Sequence, residues 1–169
     1  YESYQMNYGK YFIGGREYAE FIKDQFERHI PLQNVPILDW GCGPGRVIRH
    51  LPEVINSGCS FYGSDYNEHS IQWCQDHLSG ISFNHNGLEA ELPYSDNFFG
   101  AIYAHSIITH LSEEMHFAWL SELTRVLRPG GVLYLTAQGD NYRTKLDSDE
   151  RAVFDKGHLV VRGKVKEGH

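Results

Sequence analysis

Apolar and polar positions along the chain switch between two periods. From Arg16 to Ile30 the residues Tyr18, Phe21, Ile22, Phe26 and Ile30 fall on one stripe of a helix. Val35 to Trp40 is a short apolar run that reads as a strand buried on both faces. Arg46 to Ile55 reads as a helix and Cys59 to Ser64 as a second strand. Glu68 to Leu78 reads as a helix whose N-cap is Asn67, because that side-chain oxygen can accept the free amides of the first turn. Ile81 to His85 and Phe98 to Ala104 predict a third and a fourth strand. Ser112 caps a helix that opens with Glu113 and Glu114, carries Leu120, Leu123 and Leu127 on its apolar face, and stops at Arg128-Pro129-Gly130. Val132 to Ala137 predicts a fifth strand, Ser148 to Lys156 a short helix and Leu159 to Arg162 a short strand. Strands and helices alternating at this spacing predict a mostly parallel sheet covered on both faces.

Composition narrows the picture. A chain of 169 residues, 41% hydrophobic and 22% charged, suits a single globular domain spanning residues 1–169. Its 22 acidic against 15 basic side chains leave a net charge of −7, which argues against a nucleic-acid footprint built from clustered Lys and Arg. No stretch approaches the roughly eighteen apolar residues of a membrane span. Cys42, Cys59 and Cys74 form no Cys-x-x-Cys pair, so neither a disulfide framework nor a zinc site is indicated and a reducing cytoplasm is expected. His105, His110 and His116 lack the spacing that puts two rings on one helical face, and no metal site is expected.

The most informative segment is Ile37-Leu38-Asp39-Trp40-Gly41-Cys42-Gly43-Pro44-Gly45-Arg46, placed where the first strand should turn. Glycines there admit unusual dihedrals and let a ligand approach the main chain. In parallel sheets, ligands bind beyond the carboxyl ends of the strands. A dinucleotide fingerprint would put its third glycine where this chain has Arg46, whose bulk does not suit a pyrophosphate site. Asp65 ends the second strand, in Phe61-Tyr62-Gly63-Ser64-Asp65, where a carboxylate can accept both hydroxyls of a ribose; the competing role is a helix cap.

The Asp-x-Gly-x-Gly-x-Gly spacing from Asp39 resembles motif I of the class I, Rossmann-like S-adenosylmethionine-dependent methyltransferases. The stretches Glu91 to Phe99, Tyr103 to Leu111 and Leu127 to Leu133 resemble later segments of that family, so the resemblance covers about residues 35 to 137. It implies a three-layer α/β/α fold, a cofactor S-adenosylmethionine with S-adenosylhomocysteine as product, and transfer of a methyl group to oxygen or nitrogen of a small molecule. The family fold adds two strands after the fifth. Asn141 to His169 is too short for them, so a longer natural protein, and an exposed edge on the fifth strand suited to pairing with another copy, are expected.

The resemblance also implies roles. Asp39 would orient the amino-acid end of the cofactor, and the backbone of Gly41, Cys42, Gly43 and Gly45 would lie against its methionine and ribose parts. Asp65 would take the ribose diol, with Tyr66 packed on adenine. Many relatives have an acid after the third strand; this chain has Asn86-Gly87-Leu88, so adenine would rest on the amides of Gly87 and Leu88 or on Asn86. Relatives also carry Phe-Asp where this chain has Phe99-Gly100. His105 and Ser106 would face the methionine moiety. Its carboxylate needs a cation or amides, for which Arg16 and Arg46 are candidates, with surface ion pairing as the competing role.

His110 is the candidate general base, against a packing role at a helix entrance. Tyr1, Tyr4, Tyr8, Tyr11 and Phe12 precede Gly14-Gly15 and suggest an aromatic lid over residues 1–14 with a glycine hinge; packing on the sheet or on a partner is the alternative. Two other functions compete with methyl transfer: a non-catalytic S-adenosylmethionine-binding module and a nicotinamide-dependent oxidoreductase.

Overall fold

The computed structural model describes residues 7–161. Five parallel strands, β1 (Pro36–Trp40), β2 (Ser60–Asp65), β3 (Ile81–His85), β4 (Phe99–Ala104) and β5 (Leu127–Leu135), form one sheet in the order β3-β2-β1-β4-β5. The order reverses beside β1, so the carboxyl ends of β1 and β4 part to leave a crevice.

Side chains alternate across each strand and so build two cores. Ile37, Ala101 and Tyr103 face one side, where α1 (Tyr8–Glu27) contributes Ala19, Ile22 and Phe26, and α3 (Glu68–His77) contributes Ile71 and Cys74. Leu38, Trp40, Ile102 and Ala104 face the other side and pack on Trp119, Leu123 and Val126 of α4 (Glu113–Val126). This is the expected three-layer sandwich. The predicted caps also form: Asn67 accepts from the Ser70 amide at 3.0 Å, and Ser112 from the Met115 amide at 3.4 Å.

Several boundaries differ from the sequence reading, each for a local reason. Helix α1 begins at Tyr8 because Asn7 caps it, its side chain accepting from the Lys10 amide. Gly14 and Gly15 therefore lie inside a continuous helix and are not a hinge. A Cβ on Gly15 would stand 2.2 Å from the Arg46 carbonyl oxygen, so this glycine is a notch that lets α1 lie against the glycine loop. Tyr8, Tyr11 and Phe12 belong to α1, while Tyr1 and Tyr4 lie outside the described residues.

The helix expected over 46–55 shrinks to a 3₁₀ turn at Ile48–His50 and a four-residue α2 (Leu51–Val54). Gly45 takes φ +69°, which breaks helical geometry, and Arg49 bonds back to the carbonyls of Pro44 and Gly45. Strand β5 starts at Leu127, straight from α4, with a register shift opposite Phe99 to Ala101 that absorbs Arg128 to Gly131. Arg128 reaches over Gly100, where an added Cβ would meet its guanidinium at 2.6 Å. The tail helix is α5 (Ser148–Phe154), closed by an Asp147–Glu150 capping box. Residues 159–161 form no strand, and Arg162 lies outside the described residues.

Candidate cofactor and substrate cleft

Beyond the carboxyl ends of β1, β2 and β4 lie two neighbouring cavities, of about 700 Å³ and about 160 Å³. Gly41, Gly43 and His105 border both. The larger volume falls in the range of small-molecule sites, which run from roughly 300 to 1,000 Å³.

The larger cavity is built around Asp65. Its Oδ2 accepts the Gly43 amide at 2.7 Å and its Oδ1 the Asn67 amide at 2.8 Å, so the carboxylate ties the glycine loop to the start of α3. An ionised carboxylate offers about four acceptor sites, which leaves lone pairs on both oxygens for a diol. Cap and ligand site are thus compatible, not alternatives. Tyr66 stands beside it, 40% exposed, held by a bond between its carbonyl and His85 Nε2. Gly87 and Leu88 border the same cavity. Of the two adenine supports expected from sequence, the Asn86 side chain is committed elsewhere: Ser64 Oγ donates to its Oδ1 at 2.5 Å, and its Nδ2 donates to the Gly87 carbonyl at 2.8 Å. These bonds shape the loop, and Asn86 lines the larger cavity together with Gly87 and Leu88.

The opposite wall comes from the exit of β4. Ser106 adopts φ +60°, a strained conformation for a non-glycine residue, and its amide donates to Thr136 Oγ1 at 2.7 Å. This turn sets Ile107 over Gly41, whose φ is +79° and whose Cβ position lies 2.2 Å from Ile107 Cδ1. Only glycine fits there. His110, Leu111 and Trp119 extend the wall of the larger cavity. His105 has its Nδ1 within 2.6 Å of the Tyr18 hydroxyl from α1, and burial, reinforced by the charge of Arg46, pulls its pKa below 6.5.

The smaller cavity is lined by Asp39, Tyr103, Tyr11, Pro44 and Arg46 among others. Asp39 is buried, and Tyr103 Oη donates to its Oδ2 at 2.7 Å. Burial pushes the carboxyl up to about 7, with a smaller push from Asp65, against the opposing pull of the Tyr103 bond and Arg46. Cys42 also lines this cavity; it is buried, and burial holds its thiol protonated. Arg16 does not reach the cleft lining; it pairs with Glu20 at 3.4 Å and Glu53 at 3.2 Å on the surface. Among the described residues there is no group of His, Cys, Asp and Glu that could hold a metal.

The sequence reading missed several residues of this site. Tyr18 bears on it through His105, Tyr103 lines the smaller cavity and holds Asp39 from 64 residues away, and Thr136 acts through a backbone amide. Trp119 comes from the outer helix α4. The spacing of these residues carries no local signal.

Comparison with known proteins shows the family and the fold. The methyltransferase domain family matches residues 37–131. The chain is 32% identical over 154 residues to phthiotriol/phenolphthiotriol dimycocerosates methyltransferase 1 of Mycobacterium ulcerans, covering 83% of this chain and 54% of that protein. Phosphoethanolamine N-methyltransferase 1 of Haemonchus contortus, solved with phosphoethanolamine and S-adenosylhomocysteine, superposes with a TM-score of 0.60 at 20% identity, over 89% of this chain and 31% of that one. The [4+2]-cyclase SpnF superposes with a TM-score of 0.56 at 26% identity, over 68% of this chain and 43% of that one. The chain therefore belongs to the methyltransferase domain family, Rossmann-like proteins whose cofactor is S-adenosylmethionine. It spans 32% and 54% of the length of the first two curated relatives it matches.

Proposed function

We propose that this chain binds S-adenosylmethionine across the two cavities and transfers its methyl group to a small-molecule acceptor in the cytoplasm. The observation that carries the reading is Asp65, which lines the larger cavity with its two oxygens fixed by the Gly43 and Asn67 amides and with acceptor capacity left on each. In this reading Asp65 takes the ribose hydroxyls, Tyr66 and the Gly87–Leu88 backbone hold adenine, and Asp39, Gly41, Gly43, Gly45, His105 and Ser106 surround the methionine end. The cofactor supplies an activated methyl group on sulfonium sulfur. The protein's share is alignment and exclusion of water, and alignment alone is worth roughly 7–11 kcal/mol of barrier. His110 borders the larger cavity and is the group proposed to take a proton from an acceptor that must lose one.

A small acceptor agrees with the net charge of −7 and with the small molecules named in relatives. A second reading is a cofactor-binding domain that performs no methyl transfer, favoured by the likeness to a [4+2]-cyclase. Calorimetric titration with S-adenosylhomocysteine and with NAD tests the cofactor: the first should bind and the second should not, and binding of NAD alone refutes the reading. Release of labelled methyl from S-adenosylmethionine into a small-molecule extract, against none, separates the two readings.

A further inference from the structure

We propose that His50 is the positioning residue that seats α1 over the cleft, and that protonation of its ring releases the helix and weakens cofactor binding. The inference gives the proposed site a pH-dependent control, and only its ligand-binding consequence rests on that reading. His50 ends the 3₁₀ turn that follows the glycine loop and is 2% exposed. Its ring meets that of Phe12 from α1 edge to face, with centroids 4.5 Å apart. Its Nε2 is buried and has no hydrogen-bond partner among the described residues. A Cβ on Gly15 would stand 3.2 Å from that nitrogen, so the notch in α1 that admits the Arg46 carbonyl also admits this ring. Such a slot tolerates a neutral imidazole and penalises a charged one.

The charges around the slot also oppose a second proton. Arg49 faces the ring from its own turn, Glu53 from α2 and Arg16 from α1, two cations against one anion. Glu53 is already paired with Arg16 at 3.2 Å, across the same two helices. Burial, with Arg49 and Arg16, therefore pulls the His50 pKa below 6.5 against Glu53 and the Phe12 backbone. A ring with a lowered pKa holds α1 fully above 6.5 and loses its hold as pH falls through the lowered value. Release matters because α1 carries two groups of the cleft. Tyr11 lines the smaller cavity, and the Tyr18 hydroxyl lies 2.6 Å from His105 Nδ1. A helix lifted from the glycine loop takes both away, and affinity then follows the fraction of molecules in which α1 is seated.

The test follows the His50 ring and the backbone amides of the native chain by NMR, and S-adenosylhomocysteine binding by calorimetry. Between about pH 7.5 and about pH 5 the ring should take up its proton, and hydrogen-exchange protection of α1, corrected for intrinsic rates, should fall about tenfold or more relative to α4. His50→Gln, which cannot titrate, should hold that ratio within about threefold across the range. S-adenosylhomocysteine should lose about fivefold or more in affinity for the native chain over the same range, beyond any loss in His50→Gln. Asp39 and His105 are common to both proteins, so the difference isolates His50. Constant α1 protection while the ring titrates overturns the proposal, as does a ring that stays neutral until the chain unfolds, and neither result requires the variant to fold. Equal losses in the two proteins overturn it as well. Failure of S-adenosylhomocysteine to bind the native chain at any pH removes the proposed function, while the exchange measurement still decides the role of His50.

Discussion

Asp39 shows how one buried carboxyl couples the site to stability. Its only hydrogen-bond donor among the described residues is Tyr103, and burial lifts its pKa from an ordinary 3.8 to about 7. Between those values the folded chain keeps a proton that the unfolded chain releases. The folded state then binds more protons, so stability falls as pH rises through this window and levels off above about 7. Asp39→Asn keeps an acceptor for Tyr103 and removes the titration. Urea unfolding at about pH 5 and about pH 8 should show this fall in the native chain and lose that component in the variant. The variant should be the more stable of the two at the higher pH, by roughly 1–3 kcal/mol. An identical pH dependence in both proteins would contradict the assignment.

At the scale of elements, α1 separates two neighbouring glycines by environment. A Cβ on Gly15 meets the Arg46 carbonyl oxygen at 2.2 Å, backbone against backbone, whereas Gly14 has nothing within 4 Å. Gly14→Ala should stabilise by up to about 1 kcal/mol through helix propensity. Gly15→Ala should destabilise by roughly 1–3 kcal/mol in spite of the same propensity gain. Denaturant midpoints read both; gains of equal size in the two variants would mean that α1 does not lie on the glycine loop as described.

The same helix marks where the sequence was and was not legible. Strands β1 to β4 were readable because short apolar runs bounded by turn residues admit little else, and the caps at Asn67 and Ser112 act within a few residues. The start of α1 was hidden because a Gly-Gly pair inside an aromatic stretch reads as a break; only the distant Arg46 carbonyl explains it. The 46–55 segment failed for the opposite reason, its apolar spacing being helical while Gly45 at φ +69° prevents the first turn. In the site, Asp39, Asp65 and the glycines carried a motif, whereas Tyr18, Tyr103 and Thr136 are joined to it only by folding.

For the whole molecule, the two cores fix the sheet and the sheet parts its strand ends at one place. A ligand that bridges the loops after β1, β2, β3 and β4 there should stabilise the chain as a unit. With S-adenosylhomocysteine at a hundred times its Kd the gain is about 2.7 kcal/mol, which for a chain of this size raises Tm by roughly 5–10 °C. NAD at the same concentration should leave Tm unchanged in a thermal melt. A rise with NAD and none with S-adenosylhomocysteine would contradict the cofactor assignment.

The most direct measurement is the affinity of Asp65→Asn and Asp65→Ala for S-adenosylhomocysteine, with circular dichroism to confirm that each is folded. The asparagine retains one acceptor oxygen for the Gly43 or Asn67 amide and loses the charge. If the carboxylate holds the ribose, affinity should drop by about tenfold or more in the asparagine variant and further in the alanine variant. Folded variants that bind as tightly as the native chain would contradict the account at its base.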